Sequence, residues 1–244
     1  MKVKSLLLIF SILLIWHLIS ITGILPEYSF PGPLLVISSF KPQMVLGISA
    51  TLARTVSSFL AGVLGAYVAI YLAHITRKMP QADAQFAAAR AVPMLAAMPL
   101  LIMWFGLGEL IKLIVISLSV ISFVAGPLAE SARTLPREWT LLRQQLDKSL
   151  SWEYWHVIMP GTFGSMIGAL RVAMAVAITI AIATEFMGST VGIGRSLDAA
   201  RVTFNTPPIF LLLITTAAVG VALDAVLSSI LRHIGHWVGS TSKA

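Results

Sequence analysis

Residues 163–187 read FGSMIGALRVAMAVAITIAIATEFM, a run of 25 residues in which Arg171 and Glu185 are the only charged side chains. A helix of about 20 apolar residues is long enough to cross the hydrocarbon core of a bilayer. Similar apolar runs lie at residues 5–25, 47–73, 86–105, 110–128 and 209–231. The sequence therefore predicts an all-α integral membrane protein with six transmembrane helices in a single domain, residues 1–244.

The composition supports a membrane location and excludes several kinds of chemistry. Apolar residues make up 57% of the chain and charged residues 11%, whereas about a quarter of a soluble domain is charged. The chain has no cysteine, which excludes disulfides, thiolate metal sites and a cysteine nucleophile. The five histidines are scattered without the spacing of a metal site, so we predict no metal ligands.

No segment has the pattern of a nucleotide-binding loop. The nearest approach, Gly192-Ile-Gly-Arg-Ser196, has the wrong spacing and no lysine for a phosphate loop. We therefore predict a protein without catalytic residues and without a cofactor of its own, which takes any energy it needs from another chain.

The basic residues predict the orientation of the helices. The net charge is +7, but the cations stand singly at the ends of apolar runs, so nucleic-acid binding is not predicted. An N-terminus in the cytoplasm leaves only Lys41, Arg195 and Arg201 outside. The inner set is then Lys2, Lys4, Arg77, Lys78, Arg133, Arg137, Arg143, Lys148, Arg232 and Lys243. This bias favours both termini in the cytoplasm, with residues 5–25 as an uncleaved anchor.

Two spans carry residues that affect helix geometry. Gly62 and Gly65 in the second span permit close approach of another helix. Pro93 and Pro99 in the third span predict a kinked or broken helix, because proline removes a backbone donor and clashes with the preceding turn.

A polar stretch separates the fourth and fifth spans, at residues 130–160. Charged residues alternate there with Leu and Trp, which predicts amphipathic helices on the cytoplasmic side. A helix that lies on the membrane surface is one alternative, and a docking segment for another protein is the other.

The end of this stretch, Trp152-Glu-Tyr-Trp-His-Val-Ile-Met-Pro160-Gly161, resembles the coupling loop of permease subunits of ATP-binding-cassette (ABC) importers. The family pattern runs Glu-Ala-Ala, three residues, Gly, about eleven residues, then Leu-Pro. Here the glycine position falls near Asp147 and the Glu-Ala-Ala near residues 141–143, so the opening half of the pattern is missing.

Three further stretches are similar to the branch of these permeases that imports sulfonates, taurine and nitrate. The first is VPMLAAMPLLIMWFGLG at residues 92–108, continuing to Lys112. The second combines Leu170-Arg171, Ala183-Thr-Glu185 and Gly192-Ile-Gly194, and the third is Ala222-Leu-Asp224 followed by Arg232 and Trp237. Together they cover most of the chain.

The resemblance implies a type I ABC importer permease fold with a cytoplasmic coupling helix. It implies a bacterial inner-membrane subunit that pairs with a second permease copy as a homodimer within membrane lipid. Its other partners would be ATPase subunits, which bind the ATP and Mg, and a periplasmic or lipid-anchored substrate-binding protein. The expected ATPase-coupling residues are Leu141, Leu142, Gln145, Leu146, Leu150, Trp152, Tyr154, Trp155 and His156.

Candidate residues for the translocation path are Arg54, Met98, Arg171 and Glu185. A charge within a spanning helix is costly and usually faces protein or water. Arg171 is a candidate contact for an anionic solute, although an interhelical or snorkelling arginine is the alternative. Glu185 lies near the outer end of its span, where holding the following glycine-rich loop or a partner helix is favoured over contact with the solute.

A secondary transporter driven by an ion gradient is the rival function, since it also places charges at mid-membrane. The polar inner loop and the lack of an evident inverted repeat argue against it. A membrane scaffold leaves the kinked third span and the polar loop unexplained.

Overall fold

The computed structural model describes residues 2–24 and 26–235, and in this part of the chain all regular structure is helical, without strands. Trp237 and Lys243 of the predictions above lie outside the described residues. The eleven α-helices of the described part are α1 Lys2–Ile21, α2 Pro33–Ser38, α3 Gln43–Ile75, α4 Met79–Ala91, α5 Met98–Phe105, α6 Glu109–Arg133, α7 Arg137–Gln145, α8 Leu150–Glu153, α9 Met159–Phe186, α10 Ile193–Val202 and α11 Thr206–Ile234.

Four helical segments of the described residues are long and apolar enough to cross a membrane: Gln43–Ile75, Glu109–Arg133, Leu150–Phe186 and Thr206–Ile234. A bent pair, Met79–Ala91 with Met94–Phe105, brings the number to five if it forms one span. In α1 the apolar part Phe10–Ile21 is shorter. The all-helical membrane architecture is therefore confirmed, while the count of six spans stays a prediction.

The predicted break in the third span is present. Val92 is extended (φ −78°, ψ 117°) directly before Pro93, a 3-10 turn follows at Met94–Ala97, and the two arms of the bent pair meet at 69°. A residue before proline avoids the helical region because the proline ring clashes with it. Pro99 sits in the first turn of α5, where the missing amide donor has no helical partner to lose.

The described chain divides into two compact units, one of residues up to 51 with 185–219 and one of residues 52–184 with those from 220 onward. In the first unit, the Trp16 ring stacks on Phe210 at 6.0 Å and the Phe30 ring meets Phe210 edge-on at 5.8 Å. The Trp16 indole also donates a hydrogen bond to the Pro31 carbonyl at 3.0 Å. These contacts join α1 and the loop after it to the start of α11.

The second unit has its core between α3, α6 and α9. Buried side chains from all three helices form this core: Phe59, Ala66, Ile70, Ile116, Val120, Val124, Leu128, Met166, Leu170, Ala173 and Ala177. A Cβ atom on Gly62 would lie 2.5 Å from the Val120 Cβ and 2.8 Å from the Ser117 carbonyl oxygen. Only glycine fits there, so α3 and α6 pack at the close distance that Gly62 and Gly65 predicted.

The polar stretch after α6 folds into the short helices α7 and α8. A π-helical turn at Tyr154–Ile158 joins α8 to α9, so the chain stays helical from residue 150 to 186. This continuity places the residues of α8 on a direct extension of a membrane-spanning helix.

Candidate functional site

Helix α7 carries apolar side chains that the chain itself does not cover. Leu141 is 55% exposed, and Leu142, Gln145 and Leu146 are exposed beside it. Apart from Trp139, the rest of the helix is polar, and it lies outside the four long apolar segments. Clustered exposed leucines on a polar helix are a feature that surfaces for binding other molecules share.

A second part of this surface comes from the junction of α8 and α9. The Trp152 and His156 rings stack at 4.6 Å, and the His156 Nδ1 lies 3.0 Å from the Trp152 carbonyl oxygen. Both rings, with Trp139 and Leu142, line a cavity of about 360 Å³. Trp155 is 53% exposed. We call the exposed and half-buried residues Leu141, Leu142, Gln145, Leu146, Leu150, Trp152, Trp155 and His156 the α7–α8 surface.

Tyr154, also predicted to contact a partner, is buried instead, with 1% of its surface exposed. Its hydroxyl donates a 2.6 Å hydrogen bond to the Tyr67 carbonyl, and its ring meets Tyr71 edge-on at 5.2 Å. The Tyr71 hydroxyl in turn lies 3.0 Å from the Ser151 Oγ. Tyr154 therefore fastens the α8–α9 junction to α3.

A buried carboxylate makes a second connection at the same place. Glu153 is buried, and its Oε2 lies 3.0 Å from the Arg143 Nε and 3.4 Å from the His74 Nε2. Arg143 also donates from Nη1 to the Lys148 carbonyl at 2.8 Å. This ion-pair cluster links the end of α3, α7 and α8 and was not predicted. The signal was present in the sequence, because Glu153 is the one acidic residue in the apolar and aromatic run 150–160.

Asp147 lies in the turn between α7 and α8 and has a left-handed backbone, with φ +50°. The coupling-loop pattern has its glycine near this position, and glycine is the residue best suited to that conformation. Aspartate tolerates it because its short polar side chain bonds locally. The residue near the glycine position of the pattern therefore has a backbone conformation that glycine adopts readily.

Among the charges in the long helices, Arg54 pairs with Glu109. The Arg54 guanidinium donates to both carboxylate oxygens, at 2.6 and 3.0 Å, and the Lys112 ammonium donates to the same carboxylate at 2.7 Å. Arg54 and Lys112 are buried. This cluster ties α3 to the first turn of α6.

Met98, a candidate for the translocation path, does not line the 520 Å³ cavity of the second unit. Met98 is only 1% exposed. The cavity, of about 520 Å³, is lined by the broken third span, α6 and α9. Its polar lining comes from Arg90, Ser119, Ser122 and Thr179, and the rest is apolar.

Glu185 holds the glycine-rich loop that follows α9. Its carboxylate is fully buried and accepts hydrogen bonds from the Thr51 hydroxyl at 2.8 Å and from the Gly194 amide at 2.9 Å. A Cβ on Gly192, whose φ is +150°, would lie 2.3 Å from the Glu185 carboxylate. Glycine at 192 thus lets the backbone pass over the carboxylate, which sits at the N-terminus of α10.

Arg171 pairs with Asp224 of α11. The Arg171 Nε and Nη2 donate to the two carboxylate oxygens at 2.7 and 2.6 Å, in the parallel two-bond arrangement typical of this pair. The side chains remain 49% and 40% exposed. The pair is thus both neutralised and open on one side.

Comparison with known proteins assigns the chain to a family. Residues 61–238 match the model of the binding-protein-dependent transport system inner membrane component. This match includes α7, α8 and α9, and hence the α7–α8 surface.

Several relatives are similar over most of the chain. An aliphatic sulfonates transport permease protein of Bacillus subtilis is 28% identical, over 97% of this chain and 88% of the relative. A riboflavin transport system permease protein of Chloroflexus aurantiacus is 30% identical, over 88% and 82%. A taurine transport system permease protein of Escherichia coli is 27% identical, over 62% and 54%.

Proposed function

This chain belongs to the binding-protein-dependent transport system inner membrane components, the permease subunits of ABC importers, and we propose that it forms the path for a small organic or inorganic anion, such as a sulfonate, taurine or nitrate. The family's role is to carry a solute across the inner membrane without a covalent step in the permease. Hydrolysis of ATP, with its Mg, would then take place in a separate ATPase subunit.

The exposed α7–α8 surface is the observation that carries the proposed contact with an ATPase subunit. When a protein partner covers exposed leucine and tryptophan side chains, apolar area is removed from water, which favours binding. The family match covers this surface, which supports an ATPase subunit as the proposed partner. The proposed assembly has six spans per chain, two copies, two ATPase subunits and an external binding protein.

The contacts beneath the surface explain how motion would pass into the membrane. Glu153 of α8 contacts His74 of α3, and Tyr154 of the following π-helical turn donates a hydrogen bond to the Tyr67 carbonyl of α3. Because α8 continues into α9, a push on the surface moves α3 and α9 together as a rigid group. That motion would alternate the path between its inward-open and outward-open states.

The solute is proposed from the relatives. Two of these relatives are named for the transport of aliphatic sulfonates or taurine. The third is named for the transport of riboflavin. The anion proposal rests on the first two and on the resemblance at residues 92–112. In an uptake assay of the complete transporter, taurine and an aliphatic sulfonate are the first solutes to test.

Purification of the tagged chain from its native host in mild detergent tests the proposal. We expect an ATPase subunit to copurify, and we expect Leu141→Asp with Leu146→Asp to remove it, because two charges would oppose the apolar contact. Gln144→Asp, at an exposed polar position of the same helix, is the matched control and should retain the ATPase. Recovery of the chain without any ATPase, together with uptake driven by an ion gradient, would instead support a secondary transporter.

A further inference from the structure

The Arg171–Asp224 ion pair lies in the middle of two membrane-spanning helices. Arg171 is 12 residues from the start of α9 and 15 from its end, about 18 and 22 Å at the helical rise. Asp224 is 10 residues before the end of α11, about 15 Å. Both distances place the charges inside a hydrocarbon layer about 30 Å thick, away from the helix ends.

Lipid is a poor cover for the open side of this pair. Nearly half of each side chain is exposed, and charged groups at this depth face protein or water and not acyl chains. Partners in the described residues satisfy only one edge of the guanidinium, through Nε and Nη2.

The space beside the pair is open. A Cβ on Gly168, one turn before Arg171, would meet nothing within 4 Å, and the same holds for Gly220, one turn before Asp224. The next turns of α9, at Val172 and Ala175, line the 520 Å³ cavity. The cavity thus lies along the helix that carries Arg171, and the two glycine positions leave open space one turn before each charge.

We propose, on the premise of the function above, that the Arg171–Asp224 pair lies on the wall of the solute path and favours zwitterionic sulfonates over simple anions. A sulfonate presents oxygens that take the place of the Asp224 carboxylate on the guanidinium fork. An ammonium group on the same solute then binds the displaced Asp224.

The preference follows from the charge that each solute leaves unpaired. A bound zwitterion replaces the Arg171–Asp224 pair with two pairs, sulfonate with Arg171 and ammonium with Asp224. No charge is then left unpaired within the membrane. A simple anion occupies Arg171 but strands the Asp224 carboxylate, and an unpaired charge in such a place strongly disfavours the competing ligand.

The lack of native cysteine allows a direct test of the location. In the complete transporter in proteoliposomes, Gly220→Cys should react with both 2-sulfonatoethyl and 2-(trimethylammonium)ethyl methanethiosulfonate. Val226→Cys, on the opposite side of α11 from Asp224 and also exposed in the chain, should react at least about tenfold more slowly, because a thiol in lipid does not ionise. An unreactive Gly220→Cys, or one that forms a disulfide with a second copy, overturns the proposal.

The charge of the pair is tested in the same background. Asp224→Asn should raise the ratio of anionic to cationic reagent rates about threefold, as expected for loss of a unit charge about one turn away in a watery path. Arg171→Gln should lower that ratio, and the double variant should restore it. An unchanged ratio in both single variants contradicts a role for the pair at this wall.

Solute choice is measured by protection of Gly220→Cys. Taurine should protect at a concentration at least about tenfold lower than 2-hydroxyethanesulfonate, which has a hydroxyl in place of the ammonium. Asp224→Asn should remove that difference, and equal protection with Asp224 intact overturns the proposal. If an ATPase copurifies and uptake is driven by ATP, the proposed function holds, and equal protection then contradicts only the role of the Arg171–Asp224 pair.

Discussion

At the scale of single residues, each charged side chain that the sequence singled out within a span is held by a partner. Arg54 pairs with Glu109, Arg171 with Asp224, and Glu185 accepts hydrogen bonds from Thr51. The sequence indicated Arg54, Arg171 and Glu185 because charged residues are rare in apolar runs. The partners come from other helices and were not predictable by spacing along one helix.

Asp147 provides a prediction about the turn before α8. Asp147→Val should lower stability by about 1–2 kcal/mol, because a β-branched residue is strained at φ +50°. Asp147→Gly should be neutral or stabilising. The measurement is the thermal aggregation midpoint of the purified transporter, with Lys148→Val as the control outside the left-handed region. Equal midpoints for the two valine variants would show that the turn carries no strain.

Glu153 provides a prediction about the connection beneath the α7–α8 surface. Glu153→Gln removes the carboxylate that pairs with Arg143 and His74 and should cost about 1–3 kcal/mol locally. We expect more ATP hydrolysed per solute carried, because α8 is then less firmly tied to α3. Glu138→Gln, at an exposed carboxylate of α7, should leave that ratio unchanged. The same ratio in both variants would argue against transmission through Glu153.

At the scale of elements, small residues set the distance between helices. Without a strong hydrophobic effect between helices in lipid, close packing stabilises the bundle. Gly62 and Gly65 of α3 meet Val120 and Ile121 of α6 in this way. The broken third span has a different origin, since Pro93 stops α4 by local sterics alone.

Glycine substitutions distinguish packing from helix propensity. Gly62→Ala should destabilise the protein by about 1–3 kcal/mol, because its Cβ would overlap Val120 and the Ser117 carbonyl. Gly168→Ala, whose Cβ meets nothing, should gain up to about 1 kcal/mol of helix propensity. Size-exclusion profiles after graded heating report both. A stable Gly62→Ala would mean that α3 and α6 are less closely packed than described.

At the scale of the whole molecule, the excess of basic residues predicts which ends face the cytoplasm. The α7–α8 surface must lie on the cytoplasmic side if an ATPase binds it. Lys148, next to that surface, and Lys41, between α2 and α3, are both exposed and are predicted to lie on opposite sides.

Single cysteines test this orientation in the cysteine-free chain. In intact spheroplasts, Lys41→Cys should react with a membrane-impermeant maleimide, whereas Lys148→Cys should react only after permeabilisation. The reverse pattern would place the α7–α8 surface outside and would contradict the proposed ATPase contact.

The sequence by itself determined the membrane class, the break at Pro93, the glycine contacts of α3 and the permease family. These follow from local properties: hydropathy over about 20 residues, the sterics of proline and glycine, and motifs read in order along the chain. Only the tertiary structure decided that Tyr154 is buried, that Glu153 joins Arg143 and His74, and that Arg171 meets Asp224 across 53 positions of sequence. Such contacts depend on the rotation of each helix about its axis, which packing between distant segments sets and which an almost uniformly apolar sequence does not encode locally.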